Sequence, residues 1–316
     1  MAEVDYAVAY LEKHGVEEAV ATAIAAVVKS RTPQPLLGVA AEIQALALKR
    51  MTAPPQSTAV SASGRRRYVG GNFKCKGDVA SLARLAADMN AAMDQFPADT
   101  DLVLCPSFLH IDRLRSQLAA RIEVGAQNAW DAVEIGEFTG CVTAAMLADI
   151  GVKWLVLGHS DRRNTLLETP EMIATKAAAA LKAGLSVNLT VGETKQQRDS
   201  GEYMAALYAQ LAPVAAAIGK DGWERVVLAY EPVWAIGEGA LPCSPDQAQE
   251  VHSAVRAWLK KEVSTEVAKA TRIVYTGSVS ADNAKDYAAC PDINGFVCGR
   301  ASLVAKDFVT VCRAHL

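Results

Sequence analysis

Short apolar runs alternate with Ala-rich amphipathic stretches along the chain beyond residue 67. The runs are rich in β-branched residues and apolar at consecutive positions, which is typical of parallel strands buried on both faces. The predicted strands are residues 68–73, 101–105, 121–126, 153–157, 185–191, 225–230, 272–275 and 295–298. Eight strands with intervening helices in about 250 residues predict an α/β fold of the (β/α)₈ barrel type. A doubly wound open sheet is the alternative, although no GxGxxG follows the first strand.

The region before the barrel has a different pattern. Apolar residues recur at helical spacing over residues 16–28 and again over 36–47, on either side of a Pro-containing break at 31–35. The following stretch is rich in Pro, Ser and Ala and has no apolar period, as expected of a flexible linker. We therefore predict a helical hairpin over residues 1–51, a linker over 52–67 and a barrel over 68–316.

Composition excludes several classes of protein. The 316 residues are 51% hydrophobic with a formal net charge of −3, which gives no general attraction to nucleic acid despite the basic run at 65–67. Seven cysteines without CxxC pairs argue for a reducing compartment and against a disulfide framework or a zinc site. No apolar stretch is long enough to span a bilayer, and the acidic first residues do not fit a signal or transit peptide. We expect a cytoplasmic protein.

Five candidate site residues follow five of the predicted strands: Lys74, His159, Glu231, Ser278 and Gly299. In a parallel barrel, the carboxyl ends of all strands meet at one face, so these residues should lie together. Each residue alone has a structural interpretation, such as a hydrogen-bonded core histidine or a glutamate that caps a turn. Together, a carboxylate base, a hydrogen-bond donor and a cation are what an enediolate intermediate requires, with no metal or cofactor.

Three segments carry a family resemblance: residues 72–74 (Asn-Phe-Lys), 158–162 (Gly-His-Ser-Asp-Arg) and 230–237 (Tyr-Glu-Pro-Val-Trp-Ala-Ile-Gly). Through them, residues 68–316 resemble the triosephosphate isomerase family across its TIM barrel. The resemblance implies the glycolytic and gluconeogenic interconversion of glyceraldehyde 3-phosphate and dihydroxyacetone phosphate by proton transfer. No cofactor is implied.

The same resemblance implies roles for individual residues. Glu231 would be the base, His159 the neutral electrophile and Lys74 the fixed positive charge. Asn72 and Ser160 match supporting positions of the catalytic site.

The resemblance also implies a phosphate site and a lid. Backbone N–H groups at Gly237, Ser278 and Gly299 would bind the substrate phosphate, with Arg300 beside them. Residues 232–242 resemble a mobile lid that excludes water. Asp161, Glu193 and Pro242 are further residues that would support the site or the lid.

The chain departs from the family pattern near the catalytic lysine and at the end of the lid. Asp161 stands where the family has Glu, so its carboxylate is retracted from Lys74 by about 1.5 Å. Loss of that charge-assisted hydrogen bond would slow the reaction by about tenfold to a hundredfold. Pro242 has no N–H to offer the Tyr275 hydroxyl on closure, a loss of about 0.5–1.5 kcal/mol. Glu238 adds negative charge beside the expected phosphate.

Two further departures fall in the phosphate loops. Thr276 and Arg300 each replace a glycine of the family. Thr276 is β-branched and resists the backbone freedom that glycine allows. The Arg300 guanidinium could either bind the substrate phosphate or block the entrance to the active site. Two interpretations follow. The protein is a working isomerase, or it is an impaired homologue kept as a structural component of a larger assembly such as a ciliary or flagellar complex.

Partners are predicted for both parts of the chain. Residues 127–140 resemble the loop through which the family forms homodimers, with Cys141 replacing a carboxylate that normally pairs across the interface. The N-terminal hairpin resembles the docking-and-dimerisation hairpins of Dpy-30 and kinase regulatory subunits, which implies that residues 1–51 bind an amphipathic anchoring helix. Such a module would tether the protein to a cytoskeletal, ciliary or flagellar assembly. The alternative is a helical extension with no partner beyond its own dimer.

Overall fold

The computed structural model describes residues 16–30, 33–52, 65–131, 136–237 and 239–316. Within it the chain divides into two compact units, residues 1–56 and 57–316. Several sequence predictions lie outside the described residues: the first 15 residues of the hairpin, most of the linker, residues 132–135 of the dimer loop, and Glu238 in the lid.

The N-terminal unit contains two helices, α1 (Val16–Ser30) and α2 (Pro35–Thr52), which pack against each other. Ala23 and Val27 are buried between them. Four other apolar side chains of the pair are largely exposed: Ile24, Val28, Leu36 and Leu37. The predicted helices are therefore present, and part of their apolar surface is uncovered within this unit.

The second unit is a closed barrel of eight parallel strands in sequence order, with β8 paired to β1. The strands are β1 (Arg67–Asn72), β2 (Thr100–Cys105), β3 (Ile122–Ala126), β4 (Trp154–Leu157), β5 (Ser186–Val191), β6 (Val226–Tyr230), β7 (Arg272–Thr276) and β8 (Gly295–Cys298). Each predicted strand is confirmed to within one residue at either end. The (β/α)₈ prediction is confirmed, and the open sheet is excluded.

Helices connect successive strands on the outside of the barrel. They are α3 (Val79–Ala91), α4 (Ile111–Gln117), α5 (Ala144–Asp149), α6 (Pro170–Lys182), α7 (Lys195–Asp199), α8 (Tyr203–Gly222), α9 (Pro245–Glu262), α10 (Thr265–Ala270), α11 (Ala284–Ala288) and α12 (Ala305–Cys312). Sequence fixes several of their starts: Thr169 and Ser244 cap α6 and α9, each followed by a proline suited to the first helical turn. Of the helices described, none is long and apolar enough to cross a membrane.

Apolar side chains form two layers, one between strands and helices and one inside the barrel. Ion pairs fill the amino-terminal end of the barrel. Arg66 binds one carboxylate oxygen of Asp101 at 2.7 Å, and Arg272 binds the other oxygen. The Arg272 guanidinium also stands over the Tyr68 and Trp154 rings, at 6.0 and 5.7 Å from their centroids. This end is therefore filled, and the opposite end remains for chemistry.

Candidate active site

Three strand ends bring the predicted catalytic residues together. His159 follows β4 by two residues, and Glu231 follows β6 directly; the His159 Nε2 atom lies 3.0 Å from Glu231 Oε1. Lys74 follows β1 by two residues, with its Nζ atom 3.3 Å from Asp161 Oδ2. Asp161 in turn adjoins the His159 ring, so the four side chains form one connected group.

Glu231 is nearly inaccessible, with 2% of its surface exposed. Its Oε2 atom accepts the Ser160 N–H at 2.8 Å, and its Oε1 atom accepts the Ser160 hydroxyl at 3.0 Å as well as facing His159. Both oxygens are therefore positioned by donors from the β4 loop. Ser160 therefore holds the carboxylate in place in this structure, and its supporting role in catalysis remains a prediction.

The protonation of the His159 ring follows from its hydrogen bonds. Its Nδ1 atom accepts the backbone N–H of Asp161 at 3.1 Å, so that nitrogen carries no proton. In the neutral ring the proton is then on Nε2, the atom that faces Glu231. The geometry therefore presents an N–H donor from a neutral imidazole at the centre of the site.

Lys74 has an unusual backbone conformation, with φ at 51°. Two hydrogen bonds hold it there: its N–H donates to Asn72 Oδ1 at 3.0 Å, and its carbonyl accepts from Gln127 Nε2 at 2.9 Å. Gln127 also donates to the Cys105 carbonyl at 2.9 Å, which fixes the amide itself. Left-handed backbone in a non-glycine residue is costly and is typical of functional sites. In this structure Asn72 contacts the lysine backbone and thus positions Lys74.

The shortened Asp161 still reaches Lys74. The predicted retraction of about 1.5 Å does not separate the pair, because Asp161 begins a π-helical turn (Asp161–Thr165) that places its carboxylate 3.3 Å from the ammonium. Both side chains are substantially exposed, so the pair contributes little free energy to folding. The two groups therefore remain within ion-pair distance, and the effect of the shorter side chain on the reaction rate remains a prediction.

The predicted phosphate residues lie on three loops at the same end of the barrel. The Ser278 hydroxyl donates to the Ala235 carbonyl at 3.1 Å, which ties the β7 loop to the root of the lid. A Cβ atom added at Gly237 or Gly299 would meet no atom of the described residues within 4 Å, so space is open above both. Arg300 begins a short 3₁₀ turn (Arg300–Leu303) and is exposed. Phosphate binding by these residues remains a prediction.

Thr276 does not strain the β7 loop. It ends β7 and is buried, whereas the positive φ, 135°, belongs to the next residue, Gly277. Among the described non-glycine residues, a positive φ occurs at Lys74 and Leu167 alone. The expected conflict between a β-branched residue and the loop conformation was therefore wrong.

The root of the lid is fastened to Glu193, which is fully buried. Its Oε1 atom accepts the Trp234 indole N–H at 2.7 Å and the Tyr230 hydroxyl at 2.9 Å. Burial raises the pKa of Glu193, although these hydrogen bonds and the charge of Arg198 act against the increase. Arg198 also stands 5.5 Å from the Trp234 ring centroid. Glu193 thus anchors the first turn of the lid.

The far end of the lid joins α9. Pro242 is exposed, and the next residue, Cys243, is buried with its carbonyl accepting the Tyr287 hydroxyl. The Tyr275 hydroxyl lies next to the Cys243 thiol and the Tyr287 hydroxyl, and no hydrogen bond joins it to the described residues of the lid. The described lid therefore does not engage Tyr275 in this structure, and the effect of Pro242 on closure remains a prediction.

A buried charge network next to the site was missed at the sequence level. Glu168 Oε1 accepts from Lys176 Nζ at 2.6 Å, from Arg162 Nε at 2.5 Å and from Asn128 Nδ2 at 3.3 Å. Lys176 is the available signal, because it lies within the otherwise Ala-rich buried face of α6 and a buried lysine needs a carboxylate partner. The network connects the β3 and β4 loops. Gln127 gave no comparable signal.

Comparison with known proteins agrees with this site. The sequence model of the family described as triosephosphate isomerase matches residues 67–315. The chloroplastic triosephosphate isomerase of Arabidopsis thaliana is 45% identical over 257 residues, 81% of this chain and 80% of that protein. The cytosolic enzyme of Oryza sativa subsp. japonica is 45% identical over 248 residues, 78% of this chain and 96% of its own length. That of Neurospora crassa is 45% identical over 253 residues, 80% and 99% respectively. The chain therefore belongs to the triosephosphate isomerase family.

Proposed function

We propose that the barrel interconverts glyceraldehyde 3-phosphate and dihydroxyacetone phosphate. The observation that carries this proposal is the contact between Glu231 and the His159 Nε2–H group, next to the Lys74 ammonium. A base, a neutral donor and a cation on separate strand ends are what an aldose–ketose proton transfer needs. The identity of the relatives supports the same substrate pair.

The first step is removal of a proton from the carbon beside the substrate carbonyl. Glu231 leaves its contacts with Ser160 and takes that proton, and the electron pair moves to the carbonyl oxygen to form an enediolate. His159 donates a hydrogen bond from Nε2 to the developing oxyanion, and Lys74 offsets its charge. The hydroxyl proton passes from its oxygen to the former carbonyl oxygen, with His159 Nε2 between the two oxygens, and Glu231 gives its own proton to the former carbonyl carbon, so that the neighbouring carbon becomes the new carbonyl. The carboxylate is regenerated, so atoms and charges balance.

Phosphate recognition follows from the loops around this centre. Space is open beside Gly237 and Gly299. Backbone N–H groups there and at Ser278 would suit a phosphate dianion. Closure of the lid over the bound substrate would remove water from the enediolate. The reaction requires no cofactor or metal.

The test is turnover of purified full-length protein with either triose phosphate, followed by a coupled assay. Glu231→Ala should lower kcat/KM by at least about a thousandfold, because the base is removed. Equal rates for the two proteins would refute the proposal. Thr310→Ala, a change on the exposed side of α12, serves as the control and should leave the rate unchanged.

The impaired-homologue alternative predicts no turnover above the Glu231→Ala background. Two of the departures from the family pattern that favoured this alternative do not disturb the site. Asp161 contacts Lys74, and the positive φ of the β7 loop falls on Gly277 and not on Thr276. These observations favour the active enzyme. The same assay decides between the two interpretations.

We also propose that the protein is a homodimer and that residues 1–51 form a docking module for an amphipathic anchoring helix. Exposed apolar side chains on α1 and α2, notably Val28 and Leu36, support an uncovered partner surface in the hairpin. Deletion of residues 1–51 should leave the barrel dimer intact in sedimentation equilibrium and remove co-purifying partners. Retention of every partner by the deleted protein would refute docking. A monomeric full-length protein would refute the dimer.

The proposed location is the cytoplasm, with anchoring to a cytoskeletal or flagellar assembly through the hairpin. Fractionation of cells that express the full-length and deleted proteins tests the anchoring directly. Equal extraction of both proteins would contradict it.

A further inference from the structure

A largely buried arginine lies beside the root of the lid and has no role in the proton transfer. Arg198 belongs to α7, and its guanidinium carbon stands 5.5 Å from the centroid of the Trp234 ring. The same carbon lies 4.2 Å from the centroid of the Tyr203 ring, at the start of α8. A guanidinium within about 6 Å of an aromatic ring is attracted to it. The cation therefore joins the lid root to the outer helices.

The position of Arg198 is fixed at both ends of its side chain. Its helix starts with a reciprocal cap, in which the Thr194 and Gln197 side chains each accept the backbone N–H of the other residue. At the guanidinium end, Nη2 lies 3.6 Å from Glu250 Oε2, and the Tyr203 hydroxyl donates to the other oxygen of that carboxylate. Glu250 thus orients both the cation and the ring beside it.

The guanidinium also faces a carboxylate oxygen that is already fully used. Glu193 Oε1 accepts the Trp234 N–H at 2.7 Å and the Tyr230 hydroxyl at 2.9 Å. Arg198 Nη1 lies 3.8 Å from that oxygen, beyond hydrogen-bond distance, and this buried nitrogen has no hydrogen-bond partner in the described part of the chain. Each carboxylate oxygen has two lone pairs. Arg198 can therefore bond to Oε1 only after one of the two present donors leaves.

Trp234 is the donor that is able to leave. Tyr230 ends β6 and is buried, so the barrel holds its hydroxyl in place. Trp234 lies in the short 3₁₀ turn Val233–Ala235 at the lid root and is only half-buried. Movement of the lid root would withdraw its N–H from Glu193. A buried carboxylate that loses a donor is costly unless another donor, best a cation, replaces it.

We propose that Arg198 replaces Trp234 as the donor to Glu193 when the lid closes, and that Tyr203 is the positioning residue that holds Arg198 ready for this exchange. The inference rests on the proposed isomerase activity. The exchange keeps the number of hydrogen bonds to Glu193 unchanged, so the lid root moves without leaving a buried carboxylate uncompensated. No covalent bond is made or broken. Tyr203 acts on the reaction through Arg198.

The test compares two substitutions of Tyr203 in the full-length protein. Tyr203→Leu removes the ring that lies against the guanidinium, whereas Tyr203→Phe keeps the ring and removes only the hydroxyl. Turnover of glyceraldehyde 3-phosphate is followed in a coupled assay. Tyr203→Leu should lower kcat/KM by about threefold to thirtyfold, the range that loss of a desolvated cation–π contact allows. Tyr203→Phe should stay within about twofold of the unmodified protein, because the ring is kept.

Release of inorganic phosphate is the second measurement, because a loss of stability alone does not change it. An enediolate that the lid does not cover can expel the phosphate group from the next carbon. The carbon–oxygen bond to phosphate breaks, one enediolate oxygen becomes a carbonyl, and the carbon–carbon double bond shifts to the carbon that lost phosphate. Phosphate released per isomerised substrate should rise by at least about twofold in Tyr203→Leu, because closure protects the intermediate from side reactions. It should be unchanged in Tyr203→Phe.

Tyr208→Leu is the matched control. Tyr208 also lies on α8, and its ring stacks on Trp258 of α9 with 5.9 Å between the ring centroids. Its replacement removes a stacked ring from the same helix at a position other than the one beside Arg198, so kcat/KM and phosphate release should both be unchanged.

Unchanged phosphate release in Tyr203→Leu, at any rate of turnover, would overturn the exchange and leave the proposed activity standing. An equal rise in Tyr208→Leu would overturn it as well. Absence of turnover in the unmodified protein would instead refute the proposed activity, and this inference with it.

Discussion

The strained backbone of Lys74 depends on a glutamine from another loop, and that dependence can be measured. Gln127 donates to the carbonyls of Lys74 and Cys105, both at 2.9 Å, whereas the Lys74 N–H is held separately by Asn72. Left-handed backbone costs a non-glycine residue about 1–2 kcal/mol. Replacement of Gln127 by Leu removes the carbonyl contact and keeps the side-chain bulk. The lysine backbone should then relax away from its catalytic position in part of the molecules.

The magnitude follows from one neutral hydrogen bond, about 0.5–1.5 kcal/mol net. Since 1.4 kcal/mol corresponds to a factor of ten, Gln127→Leu should lower kcat/KM by about twofold to tenfold. Steady-state turnover of glyceraldehyde 3-phosphate measures the loss, and urea denaturation measures stability in parallel. Gln196→Leu, at an exposed position of α7, is the control and should change neither value. A lower unfolding free energy with unchanged kcat/KM would refute the reasoning, because the contact would then stabilise the loop without placing Lys74.

Three further predictions concern the charge pair at the site, the strained β4 loop and the closed end of the barrel. Asp161→Glu should change kcat/KM by less than about fivefold in the same assay, because Asp161 already contacts Lys74 and exposed pairs contribute about 0–1 kcal/mol. Leu167→Gly should raise the free energy of unfolding in urea by about 0.5–1 kcal/mol, because relief of the backbone at φ 57° outweighs the chain entropy of glycine. Burial acts to raise the pKa of Asp101. The charges and hydrogen bonds of Arg272 and Arg66 outweigh burial and lower that pKa. This carboxylate therefore stabilises the fold above the ordinary pKa of about 3.9, and the stabilisation is lost as pH falls through the lower folded value. Asp101→Asn should cost about 3 kcal/mol at pH 7 and flatten the acid dependence of unfolding.

Each of these predictions has a contradicting outcome, and the last two have a control variant. A gain of tenfold or more in Asp161→Glu would show that the shorter side chain does weaken the site. Leu166→Gly changes an adjacent exposed leucine with negative φ and should destabilise; equal effects at 166 and 167 would contradict the strain argument. Asp199→Asn breaks the exposed pair with Lys195 and should cost less than about 1 kcal/mol. A similar cost at Asp101 would mean that its cluster is worth no more than a surface pair.

The strands and the grouping of the candidate catalytic residues were predictable because both depend on local pattern. Consecutive apolar runs mark strands buried on two faces, and parallel topology then places every strand end at one face. Lys74, His159 and Glu231 needed no further information to be brought together. The eight strands were located to within one residue for the same reason.

Other features depend on where loops go after the strands end. The contact of Asp161 with Lys74 depends on a π-helical turn that side-chain length alone does not reveal. Thr276 causes no backbone strain because the positive φ of the loop falls on Gly277, which the sequence alone does not reveal. The contacts of Gln127 join residues of separate loops, and a single glutamine has no characteristic spacing in the sequence. Such features are products of tertiary packing.

The pairing of β8 with β1 has a consequence for the order in which the chain folds. During synthesis, β1 has one neighbour, β2, from an early stage, but its second neighbour is the last strand to be made. Until then both β1 and the newest strand present unpaired edges, the feature of a sheet that invites association with other chains. Closure also waits for contacts between the most distant parts of the barrel sequence, which slows folding. Molecules in the last stage of synthesis are therefore the ones most exposed to aggregation, and a chaperone would act most effectively on a barrel that lacks only β8.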